Sequence, residues 1–185
     1  MNIVYKPLDL DNQEQFQNLK SLIDADLSEP YSIYVYRYFL NTWPEFAYLA
    51  FSEDDIPDMP IGCIICKSEV HRDVRKRGYI GMLAVESKYR GNGIAKKLVN
   101  IAIEKMIADG CDEIMLETEV ENKAALNLYE RMGFIRVKRM FRYYMNHGDA
   151  FKLILPITEK CGRRSTFSQH IEVPPNGTGI SKGVI

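Results

Sequence analysis

The chain has 185 residues, 46% hydrophobic and 26% charged, with 24 Lys+Arg against 25 Asp+Glu for a net charge of −1. That length suits one domain, the composition excludes a disordered chain, and the charge balance argues against a general nucleic-acid binder. No apolar run is long enough for a membrane-spanning helix, and the opening stretch MNIVYKPLDLDNQEQF lacks the basic start and apolar core of a secretory signal.

Residues 2–7 read as a short strand. Asp11 with Glu14 three residues on reads as a capping box, and Phe16, Leu19 and Ile23 recur at helical spacing, which predicts an amphipathic helix over 12–25. Ser28-Glu29-Pro30 breaks it, with Pro30 placed to start the next helix. That helix, over 32–41, carries Ile33, Tyr34, Val35, Tyr36, Tyr38, Phe39 and Leu40, and its pattern shows no polar face before Trp43-Pro44 ends it. A helix apolar all round is normally buried on every side. One domain of this size covers a single face, so the other is expected to meet a protein partner.

Three strands are predicted over 46–52, 61–70 and 78–86, with an acidic, proline-containing loop over 52–60 and a basic connection over 71–78. Cys63 and Cys66 form a CxxC inside the second strand. Three residues apart on a strand they face opposite ways, and no second cysteine pair or His pair follows, so they read as small buried residues of a reducing compartment rather than a metal site. A helix with an Ile94, Leu98, Ile101, Ala102, Met106 stripe ends at Gly110. A strand over 112–118, a helix from Asn122 to Met132, and strands over 134–141 and 149–156 follow. From Thr158 the periodicity stops, giving a domain over 1–157 and a polar tail over 158–185, flexible or partner-bound. The order is β-α-α-β-β-β-α-β-α-β-β, a single mixed α/β domain.

The chemistry concentrates where the strand over 78–86 runs through RGNG (90–93) into the next helix. The first turn of a helix offers unpaired N–H groups and partial positive charge, and Gly91 and Gly93 let a ligand approach the backbone. Together they make a phosphate or pyrophosphate cradle, with Lys88, Arg90, Lys96 and Lys97 around it. The P-loop pattern is absent, and the third glycine of a dinucleotide fingerprint is replaced by Lys96.

RGNGIA over 90–95 resembles the R/Q-x-x-G-x-G/A motif of the GNAT superfamily of N-acetyltransferases, and NKAALNLYERMGF over 122–134 resembles its N-x-x-A-x-x-x-Y-x-x-x-G-F signature. The similarity covers about residues 3–157 and implies a mixed, mostly antiparallel seven-stranded sheet flanked by four helices, with acetyl-CoA as donor and no metal. Segments 24–39, 81–85, 116–122 and 139–144 are similar to the fungal NatC-type catalytic subunits, a branch that acetylates the α-amine of an initiator Met followed by Leu, Ile, Phe, Trp or a similar bulky apolar residue. That implies a cytoplasmic, ribosome-associated enzyme acting on nascent-protein N-termini with auxiliary subunits, without a membrane or sequence-specific nucleic acid as partner.

By the same resemblance, backbone groups of Leu83, Ala84 and Val85 hold the pantetheine arm and thioester. Arg90, Gly91, Asn92, Gly93, Ile94, Ala95 and Lys96 hold the pyrophosphate, with Asn122 contacting the arm while capping its helix. Glu117 is the expected base, with Glu29, Glu119 and Glu121 as rivals, and Tyr129 the expected proton donor to the CoA thiolate. Leu27, Glu29, Pro30, Tyr31, Tyr79, Tyr143 and Tyr144 are expected to line the acceptor pocket, Glu29 pairing with the incoming ammonium. Two alternatives stand beside this: a GNAT enzyme acting on lysine side chains or small amines, and a non-catalytic interaction subunit of the same fold.

Overall fold

A computed structural model describes residues 2–27, 29, 31–54, 56 and 58–162. Their order is β1 (Ile3–Pro7), α1 (Gln13–Asp26), α2 (Ile33–Thr42), β2 (Ala47–Ser52), β3 (Pro60–His71), β4 (Arg75–Val85), α3 (Ile94–Ala108), β5 (Glu113–Glu119), α4 (Lys123–Arg131), β6 (Ile135–Met140) and β7 (Ala150–Pro156). The strands form one sheet in the order β1-β2-β3-β4-β5-β7-β6. Every neighbouring pair is antiparallel except β4–β5, as expected for a mixed, mostly antiparallel sheet.

Strand alternation divides the apolar residues between two cores. Leu19, Ile23, Tyr36, Phe39 and Leu40 of α1 and α2 pack with Cys63, Ile65, Met82 and Ala84 on one face. Leu98, Ala102 and Met106 of α3 and Leu126 and Tyr129 of α4 pack with Ile64, Cys66 and Ile80 on the other. Cys63 and Cys66 are fully buried, in opposite layers.

Ile80 and Met82 share a parity yet lie in different cores. The register with β3 slips between Ile65 and Cys66, which pair with Met82 and Ile80 and leave Gly81 as the extra residue of a bulge. A Cβ on Gly81 would stand 2.8 Å from the Phe39 ring, so only glycine lets α2 press on the strand here. The bulge transfers the odd residues Leu83 and Val85 to the α3 side of the sheet.

β4 and β5 pair over only three positions, Arg77–Tyr79 with Glu113–Met115, and then part. Just there Glu113, fully buried, takes ion pairs from Arg75 (2.9 Å) and Arg77 (2.5 Å) and a hydrogen bond from Cys161 Sγ (3.1 Å). The pin sits at the closed end of the fork and the site at its open end.

Four expectations are corrected. The cap of α1 is Asn12, whose side chain accepts from Gln15 N–H (3.1 Å), not Asp11. The basic connection is mostly strand: β3 and β4 meet at a turn over 72–74, with Arg72 and Asp73 at φ 53° and 54°. α2 does present an outward face, with exposed Tyr34, Arg37, Tyr38 and Asn41, and the Tyr38 hydroxyl bonds Glu69 (3.0 Å). The tail does not begin at Thr158: its N–H and hydroxyl bond Asp112 at 3.0 and 2.6 Å, and a short 3-10 turn follows over Glu159–Gly162. Residues 163–185 lie outside the described residues.

Candidate active site

Glu86 N–H bonds Ile61 C=O (2.9 Å), so the alternation of an antiparallel ladder turns the backbone groups of Ala84 toward β3 and those of Leu83 and Val85 toward the gap. Ala84 is also 1% exposed, with its side chain in the α1/α2 core, so it is corrected to a sheet residue. Leu83 and Val85 floor a groove of about 580 Å³ between the start of α3 and α4.

Gly93 caps α3 at φ 77° and Gly91 has φ 80°, and a Cβ at either would meet nothing within 4 Å. The helix ladder starts with Lys97 N–H on Gly93 C=O (3.0 Å), so the N–H groups of Ile94, Ala95 and Lys96 face out of the helix end into that open space. A diphosphate fits this cradle. Arg90, Lys96, Asn122 and, unforeseen from sequence, Asn127 and Arg131 of α4 complete the walls. The Asn92 side chain is folded back, its amide bonding Tyr89 C=O (2.9 Å), and so shapes the loop whose backbone forms the cradle. Lys88 likewise turns away, to Glu86 (3.5 Å) and over the Tyr89 ring.

The groove runs into a cavity of about 210 Å³ inside the fork, where Glu117, Tyr129, Asn122, Tyr31 and Tyr144 come together. Tyr129 is 4% exposed on the buried side of α4. Burial, and then the nearby Cys66 thiol, push its phenol well above the ordinary range, so it stays protonated. Asn122 caps α4 by accepting from Ala125 N–H (3.0 Å), as expected. Glu119 and Glu29 line this cavity also, whereas Glu121 does not.

On the other side of Glu117 opens a third cavity, of about 390 Å³, walled by Tyr31, Phe39, Tyr79, Gly81 and Met115 with Arg77 and His71 at its rim. Glu117 belongs to both cavities. Its Oε2 is buried without a hydrogen-bond partner. Tyr79 is kept protonated by burial first and then by the charge and hydrogen bond of Glu117. Burial followed by Glu117 raises Tyr143, and burial followed by Glu119 raises Tyr144. These two rings meet edge to face at 5.1 Å in the β6–β7 connection.

Glu29 accepts from the Met145 backbone N–H, tying the α1–α2 connection to the β6–β7 connection across the mouth of the site. One oxygen of its carboxylate therefore tethers the two walls together. Leu27 lines the smaller cavity, and Pro30 lies outside the described residues. Asp26, absent from the sequence reading, lines both the groove and the smaller cavity. An acid in the last turn of a helix opposes the helix dipole, and that was its one legible signal.

The acetyltransferase (GNAT) family matches residues 16–134. The N-alpha-acetyltransferase 30 of Saccharomyces cerevisiae is 73% identical over 171 residues, covering 92% of this chain and 97% of that protein. The Schizosaccharomyces pombe protein of the same name is 51% identical over 144 residues, 78% of this chain and 93% of its own length. The structure also superposes, with a TM-score of 0.84 and 74% identity over 85% of this chain and 100% of the other, on a chain of the NatC complex bound to Gag peptide and CoA.

Proposed function

The chain belongs to the acetyltransferase (GNAT) family, and from that premise we propose that it is the catalytic subunit of a NatC-type complex, an acetyl-CoA-dependent N-terminal acetyltransferase. The observation that carries this reading is Glu117: an unpartnered carboxylate oxygen at the junction of the donor-side cavity and a separate acceptor-side cavity.

The donor lies along Leu83 and Val85 with its diphosphate over Gly91–Lys96. The acceptor enters from the Tyr31–Tyr79 side, so its nitrogen and the thioester carbonyl meet inside the fork. An α-amine has a pKa of about 7.7–8.0, so roughly a tenth is neutral at pH 7, against less than about a thousandth of a lysine side chain at 10.4. A carboxylate acting directly or through one water is then a sufficient base, and Glu117 takes the proton. The amine nitrogen bonds the carbonyl carbon, a β4 N–H facing the gap stabilises the oxyanion, and the C–S bond breaks. Tyr129, held protonated, gives its proton to the departing thiolate. Tyr31, Tyr79 and Phe39 give the acceptor-side cavity an aromatic wall suited to an initiator Met and a bulky apolar neighbour, while Lys67, Glu69, His71, Arg77 and Glu117 supply its polar lining.

We assign contact with auxiliary subunits to the outward face of α2, where Tyr34 is 74% exposed, and place the enzyme in the cytoplasm at the ribosome through those subunits. The test of function is acetyl transfer to peptides beginning Met-Leu against peptides whose only free amine is an internal lysine. A large preference for the former is expected; equal rates on both would refute the α-amine reading.

A further inference from the structure

Val85 carries the last pair of backbone groups of β4 that face the groove, and both are engaged by side chains. Asp26 Oδ2 accepts from Val85 N–H (3.4 Å), and Arg90 Nε donates to Val85 C=O (3.0 Å). Arg90 Nη2 closes the ring by donating to Asp26 Oδ1. The three residues come from the end of α1, the end of β4 and the phosphate loop, so one cycle of bonds ties these three elements together at the site.

Two features set Asp26 apart from an ordinary surface acid. Asp24, in the same helical turn, is satisfied by Lys20 on its own helix and by the Tyr36 hydroxyl (3.3 Å), whereas the recorded partners of Asp26 lie 59 and 64 residues away, on β4 and the phosphate loop. It also places negative charge in a groove otherwise furnished for an anion by the first-turn N–H groups of α3, Arg90, Lys96 and Arg131. At the end of α1, where no basic residue balances it, the helix dipole disfavours it as well.

We propose that Asp26 is a positioning residue that competes with acetyl-CoA for Arg90 and for Val85 N–H, and so couples the donor groove to the acceptor wall. This rests on the reading of the groove as an acetyl-CoA site. A pantetheine arm along β4 needs the two Val85 groups, and a diphosphate in the cradle draws Arg90. Binding of the donor therefore breaks the cycle and releases the end of α1. Leu27, Glu29 and Tyr31 line the cavity inside the fork and follow Asp26 along the chain, and Tyr31 also walls the acceptor-side cavity, so the position of that wall depends on whether the donor is bound. By linkage the acceptor must then alter donor affinity by the same factor that the donor alters acceptor affinity.

The experiment is calorimetry of the full-length chain with CoA as probe, comparing wild type with Asp26→Asn, which keeps the shape and removes the charge. Melting of both proteins without ligand checks the fold. The variant should bind CoA at least about fivefold more tightly, and the gain should shrink in an Arg90→Gln background. In a second titration, a Met-Leu peptide should bind wild type with an affinity that CoA changes by a similar factor, and bind Asp26→Asn with an affinity that CoA leaves nearly unchanged. An unchanged or weaker CoA affinity in a folded Asp26→Asn protein overturns the proposal and makes Asp26 a buttress of the groove. An undiminished gain in the Arg90→Gln background overturns the competition for Arg90. Wild type that binds no CoA at all overturns the reading of the groove, and the proposal with it.

Discussion

Gly93 and Gly110 stand at opposite ends of α3 in the same left-handed conformation, φ 77° and 83°, and neither has an atom within 4 Å of where a Cβ would sit. A Cβ at either position therefore meets no clash within the protein and bears the backbone strain of an L-residue there, about 1–2 kcal/mol. For a chain of this size each kcal/mol lowers Tm by about 2–4 °C, so Gly93→Val and Gly110→Val should each lose about 2–8 °C. Their effects on the ligand should differ completely. The Gly93 side chain would stand in the cradle and keep a diphosphate off the α3 N–H groups. Hydrogen bonds to charged groups contribute about 1.5–3 kcal/mol each, so losing two weakens binding by about 10² to 10⁴. Gly110, about 25 Å away along the helix, should leave binding intact. Calorimetry with acetyl-CoA and a thermal melt of both variants make the test. Full affinity in Gly93→Val, or an equal loss in Gly110→Val, would refute the cradle.

Tyr129→Phe should retain acetyl-CoA binding and lower kcat by about 10²-fold, within the range for a lost general acid; Glu117→Gln should lower kcat and move the pH–rate profile to alkaline values, where more of the amine is already neutral, and an unaltered profile would put the base elsewhere. Glu113→Gln removes the buried charge that pairs with Arg75 and Arg77, which are 14% and 13% exposed, and should cost about 3 kcal/mol. Burial alone would raise the Glu113 pKa, but the Cys161 and Arg77 hydrogen bonds and the charges of Arg77 and Arg75 together lower it below the ordinary 4.5. Its contribution is therefore complete above the usual carboxylate range and lost as pH falls through the lowered value, so urea melts of wild type and variant should converge in acid; a gap independent of pH would contradict this. A chain ending at Ile157 should be less stable than one ending at Gly162 by about 1–3 kcal/mol for the lost bonds to Asp112 and Glu113, and identical melts would show that the turn after Thr158 adds nothing. Tyr34→Ser and Tyr38→Ser together should release the auxiliary subunits in co-purification while acetyl-CoA binding persists, and an intact complex would move the interface off α2.

Patterns that repeat within one element were legible. The α3 stripe, the RGNG turn and the Asn122–Tyr129 spacing each lie in a short stretch, and each appears where expected, except that Val99 and not Ile101 completes the buried face of α3. What escaped depends on contacts far along the chain. Arg75 and Arg77 read as a basic loop because their partner, Glu113, is 38 and 36 residues distant; paired to it, they belong to a strand. The bulge at Gly81 follows from Phe39 of α2 pressing on the strand, a contact invisible to periodicity. It decides that Leu83 and Val85, and not Ala84, face the groove. The face of α2 was misread because its tyrosines were counted as apolar, although a phenol can cover a helix while its hydroxyl reaches a partner, as Tyr38 does with Glu69.

The two thiols of β3 have a use unconnected with catalysis. Cys63 is sealed beneath α1 and α2, and Cys66 beneath α3 and α4. Burial pushes the Cys63 thiol up to about 12 and the Cys66 thiol higher still, so neither reacts until its own layer opens. Alkylation rates read peptide by peptide thus time the opening of each layer separately, although the residues are three positions apart. A donor held against α3 should slow Cys66 more than Cys63, and an acceptor held against the end of α1 should do the reverse. The unaltered protein thereby carries its own pair of labels for telling which side of the sheet each ligand steadies.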